Sequence, residues 1–332
     1  MRRRDFVRGT SVIAAASALG VPRSTQGAEA PLETTKIALA RDPTICPAPM
    51  YVAEELLKTE GFTEVRYVPM DSDQNIPQLL SSGKADLSTD AAQVLILGID
   101  AGDAIVLLGG LHIGCYELFA TPRIRTMRDL KGKTVAISQL RDDRHALMSA
   151  MLTHVGLDPR KDIRWVTHPA DESMRLLAAG KIDAFLGFPP EPQELRAKKI
   201  GHVLLDTRTD RPWSQYFCCM LTGNRQFVRK NPVATKRALR AILKANARCA
   251  TEPERVARFL VDRGYTTGYD YAVQTLKELP YGRWREYDPE DTARFYALRL
   301  HEGGMIKSTP QKLLAQATDW RFFNELKKEL KG

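Results

Sequence analysis

The chain has 332 residues, 43% hydrophobic and 27% charged, with a formal charge of +9. Without residues 1–30, which hold five Arg, one Asp and one Glu, the balance falls to +6. About 300 residues give ample core for one large or two medium domains. Bases and acids alternate along the chain, so there is no basic stripe of the kind a nucleic-acid reader needs.

Residues 1–30 read as an export signal. Arg2-Arg3-Arg4-Asp5-Phe6-Val7-Arg8 is a basic opening with a twin arginine, and residues 9–21 form a short Ala-rich apolar core. Ala28-Glu29-Ala30 then supplies small residues for signal peptidase, which predicts cleavage after Ala30. The twin arginine resembles a Tat signal, and a Sec signal is the alternative. Either route leads to the bacterial periplasm. No later stretch has the length and apolarity of a membrane span, so the mature protein is expected to be soluble.

Strands and helices alternate from there. Residues 36–40 predict a strand, and a Pro-broken loop over 42–49 leads to a helix over 50–57, stopped at Gly61. Strands follow at 64–70, 85–88 and 104–108, with helices between them. The pattern restarts with a crossing strand at 116–120, a short helix at 126–132 and strands at 134–138, 163–166, 182–187 and 202–205. Helices at 142–155 and 191–198 lie among these, and 214–221 reads as a return crossing. The remainder is helical: 232–249, 253–263, 269–279, 289–302, 310–317 and a tail through Phe322, Phe323 and Leu326, several opening with Pro. Apolar strands alternating with helices predict mainly parallel sheets covered on both faces.

One phrase occurs twice. Leu79-Leu80-Ser81-Ser82-Gly83-Lys84-Ala85-Asp86 returns as Leu176-Leu177-Ala178-Ala179-Gly180-Lys181-Ile182-Asp183. Each copy reads as a helix end, a Gly stop and the entry to a buried strand. The repeat predicts two α/β lobes of similar design with a ligand site between them.

The five cysteines are Cys46, Cys115, Cys218, Cys219 and Cys249. Their spacing matches no zinc pattern, and adjacent Cys218 and Cys219 are expected on opposite faces of a strand. They read as buried small hydrophobes. Cys46 and Cys115, both expected at strand ends of one lobe, are a candidate disulfide pair.

Asp129-Leu130-Lys131-Gly132-Lys133 after a crossing strand, the paired phrases above and Phe188-Pro189-Pro190-Glu191-Pro192 resemble periplasmic substrate-binding proteins of ABC transporters. The branch resembled is the nitrate/aliphatic-sulfonate/thiamin-pyrimidine (NMT1/THI5-like) group, over nearly all of the mature chain. The resemblance implies an α/β, type II periplasmic-binding-protein fold. It has two lobes with mainly parallel sheets, two crossing strands, and C-terminal helices on lobe one. The expected division is 1–30 signal peptide, 31–115 lobe one, 116–213 lobe two, and 214–332 the return strand and helices of lobe one. Many sulfonate-type relatives carry a Gly-Ser pair after the first strand of lobe two. Here that place reads Ser138-Gln139-Leu140-Arg141-Asp142-Asp143-Arg144-His145, so sulfonate or nitrate specificity does not carry over.

In open α/β sheets ligands bind beyond the carboxyl ends of the strands, where helix N-termini also favour anions. Lobe one then offers Arg41, Asp42, Thr44, Cys46, Asp71, Thr89, Asp90, Gln93 and His112. Lobe two offers Ser138, Arg141, His145, His168, Asp171, Phe188 and Glu191, and Trp213 and Tyr216 lie near the hinge. Arg141 and Arg144 could equally pair with Asp142 or Asp143 at the surface. Asp42 and Asp90 could be helix caps, the three histidines could be loop or helix-end residues, and Phe188-Pro189-Pro190 could only rigidify a turn.

The expected function is a solute receptor of an ABC importer, a monomer that binds a small-molecule ligand and meets a membrane permease with its ATPase. With Arg41 and Arg141 facing across the cleft, the expected solute is a small organic anion, aromatic or heterocyclic. No cofactor, metal or nucleic acid is expected. Enzyme signatures such as Gly-x-Ser-x-Gly and His-Glu-x-x-His are absent. Phe217-Cys218-Cys219-Met220 resembles the Cys-rich run of eukaryotic thiamin-pyrimidine synthases on this fold, so a periplasmic enzyme is the alternative. A sensory solute-binding protein is the third reading.

Overall fold

The computed structural model describes residues 29–42, 44–70, 74–266 and 268–331. The export signal expected over residues 1–30, apart from its last two positions, lies outside the described residues, and so does Asp71.

Two five-stranded sheets organise residues 32–332. In the first, β1 (Lys36–Arg41) pairs in parallel with β2 (Glu64–Pro69) and β3 (Leu87–Ala91). β4 (Ile105–Ile113) and the late strand β10 (Phe217–Asn224) complete it, with β10 antiparallel between β3 and β4. The second sheet repeats the arrangement. β6 (Lys133–Ile137) pairs in parallel with β7 (Ile163–Thr167) and β8 (Ala184–Gly187). β5 (Glu117–Ala120) then runs antiparallel between β8 and β9 (His202–Asp206). Each sheet therefore holds one antiparallel crossing strand among parallel neighbours. This is the type II periplasmic-binding-protein arrangement.

Helices cover both faces, which is why the inner strands are apolar without alternation; all nine residues of β4 are buried. Around the first sheet lie α1 (Ala48–Val52), α2 (Glu54–Thr59), α3 (Ile76–Ser81) and α4 (Ala92–Ala101). The helix expected over 50–57 is thus two short pieces. Around the second lie α5 (Asp143–His154), α6 (Ala170–Ala178) and α7 (Glu191–Ala197). After β10 come α8 (Arg225–Lys230), α9 (Pro232–Thr251), α10 (Pro253–Asp262), α11 (Tyr269–Glu278), α12 (Pro289–Glu302), α13 (Pro310–Ala317) and α14 (Arg321–Glu329). Pro opens α9, α10, α12 and α13 where its missing N–H has no helical partner to lose. No helix among the described residues is long and apolar enough to cross a membrane.

The repeated phrase has a physical cause. Gly83 and Gly180 take φ of 75° and 65°, the left-handed turn that ends α3 and α6. Three residues on, Asp86 Oδ2 accepts the backbone N–H of Ala38 at 2.7 Å, and Asp183 Oδ2 accepts that of Thr134 at 2.9 Å. The Asp86 N–H donates to the Ala38 carbonyl, and the Asp183 N–H donates to the Thr134 carbonyl. Finally the two aspartate carbonyls accept from Asn224 and Thr121, next to the crossing strands. Each lobe thus pins three neighbouring strands with one aspartate.

The connections between lobes run side by side. The Thr207 N–H donates to the Tyr116 carbonyl at 3.0 Å, and its hydroxyl donates to the same carbonyl at 2.8 Å. That hydroxyl also accepts the N–H groups of Cys115 and Tyr116. The lobes meet again through α5 against α4 and α12, and through α7 against α11. On the second contact Glu278 accepts from Arg196 at 2.7 and 2.9 Å, from Arg208 at 2.7 Å and from Gln193 at 3.0 Å.

Candidate functional site

A cavity of about 340 Å³ lies where the carboxyl ends of both sets of strands meet. Its walls are built by the turn after β1, the junction of β3 and α4, the loop from β6 to α5, and both crossings.

From the first lobe come Asp42, Thr44, Cys46, Thr89 and Asp90. The Asp42 N–H is accepted by the Tyr51 hydroxyl at 3.0 Å, and its Oδ2 accepts the Thr44 hydroxyl at 3.1 Å. Burial pushes the Asp42 carboxyl up to about 6, and the nearby Asp143 and Cys219 push the same way. Burial also raises Asp90 well above the carboxylate range, with Asp42, Asp143 and Cys219 adding to it. Asp90 Oδ1 accepts the Ala91 N–H at 2.7 Å, at the start of α4. Thr89 is committed inward, its hydroxyl donating to the Met220 carbonyl at 3.0 Å.

From the second lobe come Gln139, Arg141, Asp142, Asp143, Arg144 and Phe188. Asp142 caps α5 with both oxygens: Oδ1 accepts from His145 N–H at 2.7 Å, and Oδ2 from Ser138 and Gln139 N–H at 3.1 and 2.9 Å. Arg144 is buried and paired with Glu191 at 2.6 and 2.8 Å, and it donates to the Leu186 carbonyl at 2.8 Å. Burial opposes its charge, but Glu191 outweighs this and holds the guanidinium firmly protonated. Arg144 therefore does not pair with Asp142 or Asp143 at the surface. Arg141 adopts φ of 69°, and its N–H donates to His145 Nδ1 at 2.8 Å. His145 is pushed down to about 4 by burial and by the Arg141 charge, so it is a neutral acceptor at pH 7. The Arg141 guanidinium reaches across to the Met305 carbonyl at 3.1 Å.

Several residues expected at the site stand elsewhere. Arg41 is absent from the lining; its guanidinium carbon sits 4.9 Å from the centre of the Tyr265 ring. Arg41 and Arg141 therefore do not face one another across the cavity. Gln93 lies behind the wall, donating to the Asp143 carbonyl at 3.3 Å and so linking the lobes. Ser138, His145 and Glu191 back the wall through the bonds above. His168 and Asp171 lie outside the lining, with Asp171 exposed. Trp213 is 2% exposed, packed edge-on to His154 and Phe295, and Tyr216 stacks on Phe295 at 4.0 Å, so neither presents a ring to the cavity.

Strand-end reasoning did not reach Tyr116 and Cys219, which rise from the crossings. Tyr116 donates its hydroxyl to Asp143 at 2.7 Å and lies 5.1 Å from the Phe188 ring. Cys219 lines the cavity and its neighbour Cys218, also buried, does not. The pairing of β10 with β4 shifts register on either side of Cys219. All five cysteines are free thiols, so Cys46 and Cys115 are not bridged. Cys115 Sγ stands 3.9 Å from both Cys219 Sγ and His112 Nδ1, beneath the cavity. The Cys219 thiol is pushed down by hydrogen bonds from Cys115 and Cys218, and by His112, against its burial.

Two lobes joined by paired crossings, with a cavity at their strand ends, define the periplasmic-binding-protein class. The chain belongs to the NMT1/THI5-like family, whose family model matches residues 47–256. Among solved structures it is similar to the periplasmic nitrate-binding protein NrtA of Synechocystis, at 15% identity and a TM-score of 0.74 over 90% of each chain. It is similar to the aliphatic sulphonate binding protein SsuA of Escherichia coli, at 18% identity and a TM-score of 0.66, covering 84% of this chain and 91% of that one. The alkanesulfonate-binding SsuA of Xanthomonas axonopodis, bound to MOPS, gives 16% identity and a TM-score of 0.68 over 87% and 99%. No curated protein matches it in sequence.

Proposed function

We propose that this protein is the periplasmic solute-binding component of an ABC importer, exported by the segment over residues 1–30. It takes one small solute in the interlobe cavity and presents the closed form to a membrane permease driven by its ATPase. The observation that carries this reading is the cavity itself, lined by both lobes, which touch one another beside it and are linked by crossing segments. Such a geometry couples occupancy to closure, because a solute touching both lobes favours the state in which they meet. Family membership and the binding-protein fold support it.

One observation favours a second reading. Cys219 lines the cavity with His112 and Cys115 behind it, a thiol arrangement that could act on a bound compound. A thermal-shift screen of mature protein, followed by mass spectrometry of the recovered compound, separates the two. A receptor gains roughly 2.7 kcal/mol at a hundredfold excess of ligand over Kd and returns the compound unaltered. A consumed compound would make the protein an enzyme.

A further inference from the structure

Resting on that receptor reading, we infer that the solute is an organic cation bearing N–H donors. The carboxylates of Asp42, Asp90 and Asp143 hold it beside the rings of Tyr116 and Phe188.

The backbone groups that would hold an oxyanion are already occupied from within the chain. The loop after β6 would offer its N–H groups to an anion, but Asp142 takes those of Ser138, Gln139 and His145. At the start of α4 the Ala91 N–H goes to Asp90. Arg144 is held by Glu191 and Leu186, Arg141 reaches to Met305, and Arg41 lies over Tyr265. The backbone donors of both loops are thus spent, which leaves Arg144 Nε, buried without a hydrogen-bond partner among the described residues, and the part of the Arg141 guanidinium not bound to Met305.

Acceptor capacity is not spent. Asp42, Asp90, Asp142 and Asp143 all line the cavity, against Arg141 and Arg144. A carboxylate can accept at about four lone-pair positions, and the bonds to Thr44, Ala91 and Tyr116 use only part of this at Asp42, Asp90 and Asp143. Gln74 Oε1, also on the wall, is buried without a hydrogen-bond partner among the described residues. Burial raises Asp42 and Asp90, with neighbouring acidic groups adding to it, so a positive charge placed beside them favours their ionised forms and is held by them in turn. The Tyr116–Phe188 pair, 5.1 Å between ring centres, adds two π faces that attract a cation.

The test is a thermal-shift and calorimetric panel on mature protein. One arm holds benzamidine, agmatine, histamine, spermidine and protonated aminopyrimidines; the other holds nitrate, sulfate, ethanesulfonate and benzoate. Binding of a cationic member is expected, weakened at least about tenfold in Asp90→Asn and in Asp143→Asn. If a variant does not fold, the neutral isostere of the bound cation on wild-type protein replaces it, benzamide for benzamidine, with the same tenfold loss expected. Failure of every cationic member overturns the inference. Binding by an oxyanion alone does so while leaving the receptor reading standing, whereas failure of both arms counts against both. Equal affinity for the cation and its neutral isostere also overturns it.

Discussion

Burial lifts the Asp42 carboxyl to about 6, where a free aspartate titrates near ~3.9. Asp143 and Cys219 reinforce the shift, and the Tyr51 hydroxyl and Asp90 share the same enclosure. A folded-state value above the unfolded one means the native protein holds this proton more tightly. The resulting stability is fully present below about pH 4 and is lost as pH rises through about 6. The unliganded protein should therefore gain from this group between pH 7 and pH 4. Asp42→Asn should remove that share and raise stability at pH 7 by on the order of 2 kcal/mol. The check is the difference in Tm between wild type and variant across that range, which cancels opposing groups such as His145. A difference flat in pH would show that Asp42 titrates normally.

At the level of strands and helices, the two aspartate clamps are the parts most exposed to a test. Asp86→Ala and Asp183→Ala each leave a strand N–H without its acceptor, at a cost of about 1–3 kcal/mol. Thermal unfolding should report a fall of roughly 2–4 °C per kcal/mol for a chain of this size. Unchanged Tm in both would make the shared phrase a coincidence of composition. That phrase was readable because each letter has one physical job: glycine for a left-handed turn, aspartate for a strand N–H. The strands were readable because helices cover both faces, leaving continuous apolar runs such as Ile105 to Leu108. Gly109 and Gly110 interrupt that run, so the continuation of β4 to Ile113 alongside β10 did not show. The cavity was legible where it is made by strand ends, at Asp42, Thr44, Cys46, Thr89, Asp90, Arg141 and Phe188. It was hidden where the crossings enter it. Cys219 enters from β10, whose place between β3 and β4 depends on strands more than a hundred residues earlier and leaves no local mark. Arg41 ends β1, but the segment that brings Tyr265 to it is more than two hundred residues away.

On the scale of the whole molecule, Glu278 ties the two lobes together on one rim. This single carboxylate of α11 receives two arginines and a glutamine from the other lobe, and Glu117 shares both arginines. Such half-buried networks are worth more than isolated surface pairs, because neighbouring charges fix one another. Glu278→Gln should shift the unliganded ensemble toward open forms, seen as a larger radius of gyration in solution scattering. It should also weaken ligand binding about five- to tenfold, since part of the binding energy must then close the lobes. Identical scattering and affinity would show that the other rim, through α5, α4 and α12, suffices.

The pairing of Thr207 with Tyr116 has a consequence for how such proteins diversify. The chain enters and leaves the second sheet at paired residues, so residues 116–207 form a cassette with adjacent ends. Inserting a long segment between adjacent ends carries an entropic penalty that grows only slowly with its length. One half of the recognition surface can then be recombined among family members without breaking the other half's fold. A graft made at this seam would exchange the walls bearing Asp142, Asp143 and Phe188 as a block and keep Asp42 and Asp90.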